Sequence, residues 1–299
     1  MAFTSSETPG DSAQSLAIIL HSQNSCSVVT FGTRGDCMAD DTAAFQKASD
    51  ACGTFFVPRP AAHGCYRVNG VQLHAGSVIT MEDRNTEVRP VSPETSFVFG
   101  ISGDPGSQTS FVTIRNGILW APFTMAAGTA GVRVEHANHI TLEGLIVNGF
   151  YDDVFADDAE YLYLMHVNAN GSAHANVWHQ HTAGDGPYFG GPLYIDHSTL
   201  DSCKCSAASV WIQDIAVVNI TDSDIVGVSE GQGLHAESSN GMRGSPADFP
   251  AGLHVHGATF DSIASEPILI KNYEKSDIQG TWVSGGARTK RHVYGSAIT

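Results

Sequence analysis

From Phe111 onward the chain repeats one pattern, in which apolar and polar residues alternate in short runs closed by Asn, Gly or Asp. The runs are FVTIRNGILW, GVRVEHANHITLEGLIVNG, YLYLMHVNANG, PLYIDHSTL, VWIQDIAVVNITDSDIVGV, GLHVHGATFDSI and PILIKNYEKSDIQGTWV. A period of two bounded by turn residues predicts strand after strand. One strand per repeat starts near Val132, Val154, Val177, Val210, Leu234 and Ile268, at spacings of 22, 23, 33, 24 and 34 residues. Repeats of this size mark a solenoid whose coils pack on their neighbours. The two long repeats carry insertions, 182–192 and 238–251, each leaving directly after its strand. Both are therefore expected to wall the same sheet, and insertions on one face commonly mark a binding face.

Before Phe111 the pattern differs. Residues 1–27 read as a polar, Ser-rich arm, and 28–299 as one domain with a cap at 28–82 and regular coils over about 111–285. Within the cap, the Gly-bracketed turn 32–35 leads to Asp40-Asp41-Thr42, a good helix start because acidic and hydroxyl side chains accept the orphan N–H groups of a first turn. Ala44, Phe45 and Ala48 follow at helical spacing, then an extended FFVP. Strands are expected at 66–73, 78–81 and 96–100.

The pattern FG-x-x-GD-x-x-x-DDT-x-AFQ-x-A, then FFVP and YRV, resembles the N-terminal cap of the pectate-lyase-like superfamily, which includes phage tailspike depolymerases and polygalacturonases. The resemblance covers about residues 28–82. It implies an all-β fold, a right-handed single-stranded parallel β-helix with a short N-terminal helical cap. It also implies that Asp40 and Asp41 are capping rather than catalytic residues. Polygalacturonase sites use N-x-D, D-D, G-H-G and R-I-K on successive coils. Here Gly231-Gln232-Gly233 and Ile270-Lys271 lack the histidine and the arginine, so the resemblance implies the fold and a carbohydrate substrate but not galacturonate specificity.

Composition narrows the chemistry. A formal net charge of −16 disfavours nucleic acid and anionic membranes as partners. No basic stretch followed by a long apolar core occurs in the first 23 residues, so neither a signal peptide nor a membrane span is expected. The six cysteines permit disulfides, with Cys52 and Cys65 flanking the cap strand; the alternative is small buried hydrophobes. Cys203 and Cys205, two apart on an expected strand, would point the same way and bridge only with strain. No phosphate loop, nucleophile elbow or basic aromatic patch is present.

In each repeated strand alternate residues face outward. If the apolar set faces the core, two outward columns arise. One reads Arg133, Phe155, Trp178, Trp211, His235 and Leu269; the other reads Glu135, Asp157, Gln180, Gln213, Glu237 and Lys271. Aromatic faces pack on the C–H faces of sugar rings, and carboxylates and amides hydrogen-bond sugar hydroxyls. A register slip of one would instead bury Phe155, Trp178 and Trp211, and an oligomer interface would also expose such a ladder.

Glycoside hydrolysis needs two carboxyls about 5 Å apart for retention or about 6.5–9.5 Å apart for inversion. Glu135 and Asp157 on neighbouring coils fit either. Asp153, at the turn leading onto the face, and Glu237 with His235 beside it are further catalytic candidates, with a loop acid such as Asp185 or Asp248 completing a pair with Glu237. Arg133, Phe155, Trp178, Trp211, Gln213 and Lys271 are the expected substrate-binding residues. A polysaccharide lyase, using Arg133, Arg243 or Lys271 and with Ca2+ a possible cofactor, is the second reading; otherwise no cofactor is expected. A non-catalytic receptor-binding or structural tail protein is the third. The fourteen histidines include His179-Gln180-His181 and His254-Val255-His256, but a third metal ligand is not evident in the sequence, and no metal site is expected. The resemblance further implies a polysaccharide partner, a possible homotrimer, and a place outside the cell or on a virion tail.

Overall fold

The computed structural model describes residues 26–61, 63–182, 190–238, 252–273 and 275–284. Its strands pair in parallel in a 16-stranded and a 9-stranded sheet. The strands Ala130–Glu143 and Asp152–Met165 each belong to two faces. They bend at His136 and His139 and at Asp158 and Tyr161, all with positive φ. Val132 before the bend pairs with Phe99 and Val154, whereas Ile140 after it pairs with Val112 and Leu162. The larger sheet is therefore two faces joined at these bends, and the smaller sheet closes the third side.

Alternation decides what fills the interior. Val132, Val154, Val177, Val210 and Leu234 stack in register and are fully buried. Leu162, Leu193, Val218 and Leu253 form a second buried column, and Leu119, Val147, Ala169, Leu200, Ile225 and Phe260 a third. Each such side chain contributes about 1.5–3 kcal/mol of burial for the larger apolar residues, and each coil buries it only against its neighbours. This is the parallel β-helix that the spacing and the cap motif imply.

The corners explain the polar punctuation. Asn116, Gly144, His166, His197, Asp222, Gly257 and Gly280 stack at one corner with φ between 45° and 65°. From Asn116 to Gly257, each donates its backbone N–H to the carbonyl of a residue on the next coil. Left-handed backbone favours Gly, Asn, Asp and His, which is why these types close the strands.

At the N-terminal end the helix Thr42–Ala51 buries Ala44, Phe45 and Ala48. Phe45 packs at 5.3 Å from Tyr66 and 6.4 Å from Phe99, ring to ring. The Gln46 amide bonds both backbone groups of Gln72, accepting from its N–H (2.8 Å) and donating to its carbonyl (3.1 Å). It thereby occupies a strand edge that would otherwise pair with another chain. The two cap acids divide their work differently from the expectation. Asp40 Oδ1 accepts from Thr42 N (2.9 Å) at the helix start, whereas Asp41 accepts from Arg34 N (2.7 Å) and Gly35 N (3.3 Å) and so clamps the glycine turn.

The cysteines are paired, and not as the sequence suggests. The disulfides are Cys26–Cys52, Cys37–Cys65 and Cys203–Cys205, with Cα–Cα distances of 6.2, 4.7 and 5.0 Å. Cys52 and Cys65 flank one strand but belong to different bridges. Cys203 and Cys205 lie in the irregular stretch after the strand Thr199–Asp201, where the chain bends and two alternate residues converge.

Candidate functional site

The ladder strands pair in the register expected, with Val154, Val177, Val210, Leu234 and Ile268 each opposite its predecessor. The polar and aromatic columns therefore lie on the outer side of the sheet. His179, next to Trp178, settles the direction, since it is fully buried and its Nε2 donates to the Ala159 carbonyl (3.1 Å). Burial pushes the His179 pKa down to about 4, so its ring is neutral at pH 7.

The aromatic column is continuous. The Arg133 guanidinium lies 4.8 Å above the Phe155 ring, which meets the Trp178 edge at 4.9 Å. Trp178 and Trp211 stack at 5.0 Å with 10° between planes, and His235 follows at 6.4 Å. Phe155 departs from the expectation of an open face: Arg133 and Trp178 cover it, and only 7% of it is exposed. Trp178, Trp211 and His235 are less completely buried. Trp178 Nε1 donates to Gln213 Oε1 (3.3 Å), tying the aromatic column to the polar one.

In the polar column Glu135 and Asp157 lie directly opposite each other on adjacent coils, where strand spacing is about 4.8 Å. Arg133 donates to Glu135 Oε1 (3.1 Å), and Ser102 Oγ lies 3.5 Å from Oε2. Asp157 accepts from Gln180 Nε2 (3.0 Å), Thr182 N (3.1 Å) and Thr182 Oγ1 (2.7 Å). Glu237 accepts from Lys271 Nζ (3.1 Å) and His235 Nε2 (3.0 Å). Burial pushes the Glu237 carboxyl up, but Lys271 and His235 outweigh it and hold it below the usual range. Burial, then the Lys271 charge, pushes the His235 ring down despite Glu237. Gln180 and Gln213 separate Asp157 from Glu237 in this column, so Glu237 is not part of the Glu135–Asp157 pair.

Asp153 requires a correction. It lies inside the strand Asp152–Met165, not at a turn on the groove, and is fully buried. Its Oδ1 accepts from Phe150 N (3.3 Å), and with the Asn176 amide nitrogen turned toward it, Oδ2 accepts at 3.2 Å. Burial holds its carboxyl well above the usual carboxylate range. A sealed acid cannot reach a glycosidic bond. The insertion acids Asp185 and Asp248, and Arg243, lie outside the described residues, as does most of both insertions.

The chain is similar in fold to the Geobacillus virus E2 ORF18 protein, with a TM-score of 0.52, 12% identity and coverage of 94% of this chain and 64% of that one. It is also similar to the enzymatically active domain of tailspike protein 2 of bacteriophage CBA120, with a TM-score of 0.54, 11% identity and coverage of 87% and 43%. The fold is a parallel β-helix. The chain spans less than two thirds of either of these structures. No family model matches the sequence, and no curated protein matches it.

Within this β-helix two further groups border the ladder. Asp152, nearly sealed, accepts from His174 Nδ1 (2.8 Å), and the His174 ring stacks on Tyr151 at 4.9 Å and meets the edges of Trp178 and Trp211. Burial raises the Asp152 carboxyl pKa, with His174 opposing the rise. At the other end of the strands, Asp158 pairs with His136 (3.3 Å) and with His181. Both partners of each pair come from different coils, so no local motif announces them. The columns also continue past Arg133 and Glu135 to Gly100 and Ser102, and Gly100 pairs in turn with Gln72. At Gly100 a Cβ would meet the Phe97 ring at 2.5 Å, so a larger residue at that end of the aromatic column would need the ring to move.

Proposed function

We propose that the outer face from Arg133 to Lys271 binds an extracellular polysaccharide and cleaves it as a glycoside hydrolase. The observation that carries this reading is the unbroken Phe155–Trp178–Trp211–His235 ladder running beside a column of carboxylates and amides. Sugar rings would stack along the aromatics while Gln180, Gln213 and Lys271 bond their hydroxyls. Asp157, held by three donors, suits the base or nucleophile; Glu135, its neighbour on the adjacent coil, is the second carboxyl of the pair. His235 and Glu237 would act further along the groove on substrate rather than in the reacting pair.

One observation favours binding without cleavage: Glu135, Asp157 and Glu237 all already have donors within the protein. A homotrimer and a place on a virion tail or outside the cell belong to the same proposal and rest on the family resemblance. Ca2+ enters only if the reaction is a lyase.

The test is incubation with capsular, O-antigen and plant polysaccharides, following reducing ends and the ultraviolet absorbance of unsaturated sugars together. Reducing ends alone, lost in Glu135→Gln and Asp157→Asn while glycan binding persists, are the expected result. Absorbance rising alongside them would assign a lyase. Binding with neither signal would leave a receptor-binding protein and overturn the catalytic roles.

A further inference from the structure

The second face of the β-helix carries a cluster that the ladder does not use. His254 and His256 lie two apart on the strand Gly252–His256, so both rings leave the same side. On the next strand, Lys275–Gln279, Asp277 stands directly opposite His254. His254 Nδ1 bonds Asp277 Oδ1, and His256 Nε2 lies 2.7 Å from Asp277 Oδ2. One donor atom from each residue can be chosen so that all three lie within 4.8 Å of one another, and the side chains are 37–45% exposed. Gln279 Nε2 donates to Asp277 Oδ2 (3.2 Å) and steadies the carboxylate. Gly252 leaves the His254 ring its seat, since a Cβ there would lie 3.1 Å from Nε2.

We propose that His254, His256 and Asp277 form a site for a divalent transition-metal ion of the zinc class. Two imidazoles and one carboxylate, converging from a rigid sheet with the remaining position open to solvent, are the donor set that zinc and its neighbours take. Hard ions such as calcium need an oxygen-rich shell that these residues do not supply. Donors around zinc lie about 2.0–2.2 Å from the ion, so the three atoms draw together by rotamer adjustment on an otherwise fixed backbone. The ion would join Gly252–His256 to Lys275–Gln279, the last strand of that face among the described residues. In a repeat protein each coil is held by its neighbours, and a cross-coil ion adds to that hold. The site is therefore a clamp between these two coils, remote in role from the sugar-binding ladder.

The experiment uses the full chain stripped with EDTA and titrated with zinc chloride by calorimetry, and with cobalt followed by its visible absorption. One equivalent is expected to bind, to raise the melting temperature, and to give the intense visible bands of a low-coordinate cobalt site. His254→Ala, His256→Ala and Asp277→Asn should each weaken that site by about 100-fold or more, given that even outer-shell changes cost 10–100-fold. His74→Ala, which alters an exposed histidine bonded to Asp50 in the N-terminal region, should leave it unchanged. Circular dichroism checks each fold, and His256→Gln, closer in size to the native side chain, replaces any variant that fails. No saturable equivalent in the native chain, or binding that survives loss of the three residues, would overturn the site.

Discussion

Trp178→Ala removes the centre of the aromatic column, and the structure sets what it should cost. Trp178 makes two aromatic contacts within the column, the stack on Trp211 and the edge contact with Phe155. Each is worth about 0.5–1.5 kcal/mol. Its bond to Gln213 adds about 1 kcal/mol at most. The ring is partly exposed, so the expected loss of stability is about 2 kcal/mol, or roughly 3–4 °C in melting temperature. Glycan binding should suffer separately, because a central aromatic anchor typically costs about 2 kcal/mol or more on truncation. That is about 30-fold in Kd. The assay is titration of an oligosaccharide from the active polysaccharide well below the variant's melting temperature, with thermal unfolding run in parallel. Trp282→Ala serves as control, since Trp282 lies exposed on the third face. A variant destabilised as expected that binds within twofold of native would refute the reasoning, as would an equal loss in the control.

Other expectations are as specific. Asp153 has a folded pKa raised by burial, so its contribution to stability is fully present below the unfolded value near pH 4 and is lost as pH rises toward and through the folded value. Asp153→Asn stays neutral, and the Asn176 amide can turn to accept from it. The melting temperature of the variant relative to native should therefore rise from pH 4.5 to 7.5, and parallel curves would sink the idea. Phe45→Ala empties a fully buried site between Tyr66 and Phe99 and should cost about 3–5 kcal/mol. A loss of unfolding free energy below about 1 kcal/mol in urea would show that the cap helix does not hold the first coil.

Much of this architecture was legible in the chain. Strand period and coil length together placed Val132, Val154, Val177, Val210, Leu234 and Ile268 opposite one another, and that register put Trp178 and Trp211 outside. The reason is physical: a slip of one would turn Arg133, Glu135 and Asp157 inward, which no apolar core tolerates without partners. What escaped was decided between coils. Asp153 and Glu135 look alike in sequence, yet Asp153 is sealed against Phe150 N and Asn176 while Glu135 stays on the face. The cap acids part ways because a turn seven residues back needs a clamp. His254 and His256 lacked a third ligand because Asp277 arrives from the following coil, brought alongside only by strand pairing. Cysteine pairing likewise depends on which coils meet, and flanking one strand was a poor guide to it.

The central claim is that polysaccharide lies along the Phe155–His235 ladder. The most direct measurement is a crystal structure of Glu135→Gln soaked with an oligosaccharide cut from whichever polysaccharide the native protein degrades or binds. The account predicts sugar rings stacked over Trp178 and Trp211, with a glycosidic oxygen within about 3 Å of position 135, hydrogen-bond reach. Sugar bound instead over the stacked tyrosines of the second face, Tyr163 and Tyr194, with the ladder bare, would contradict it.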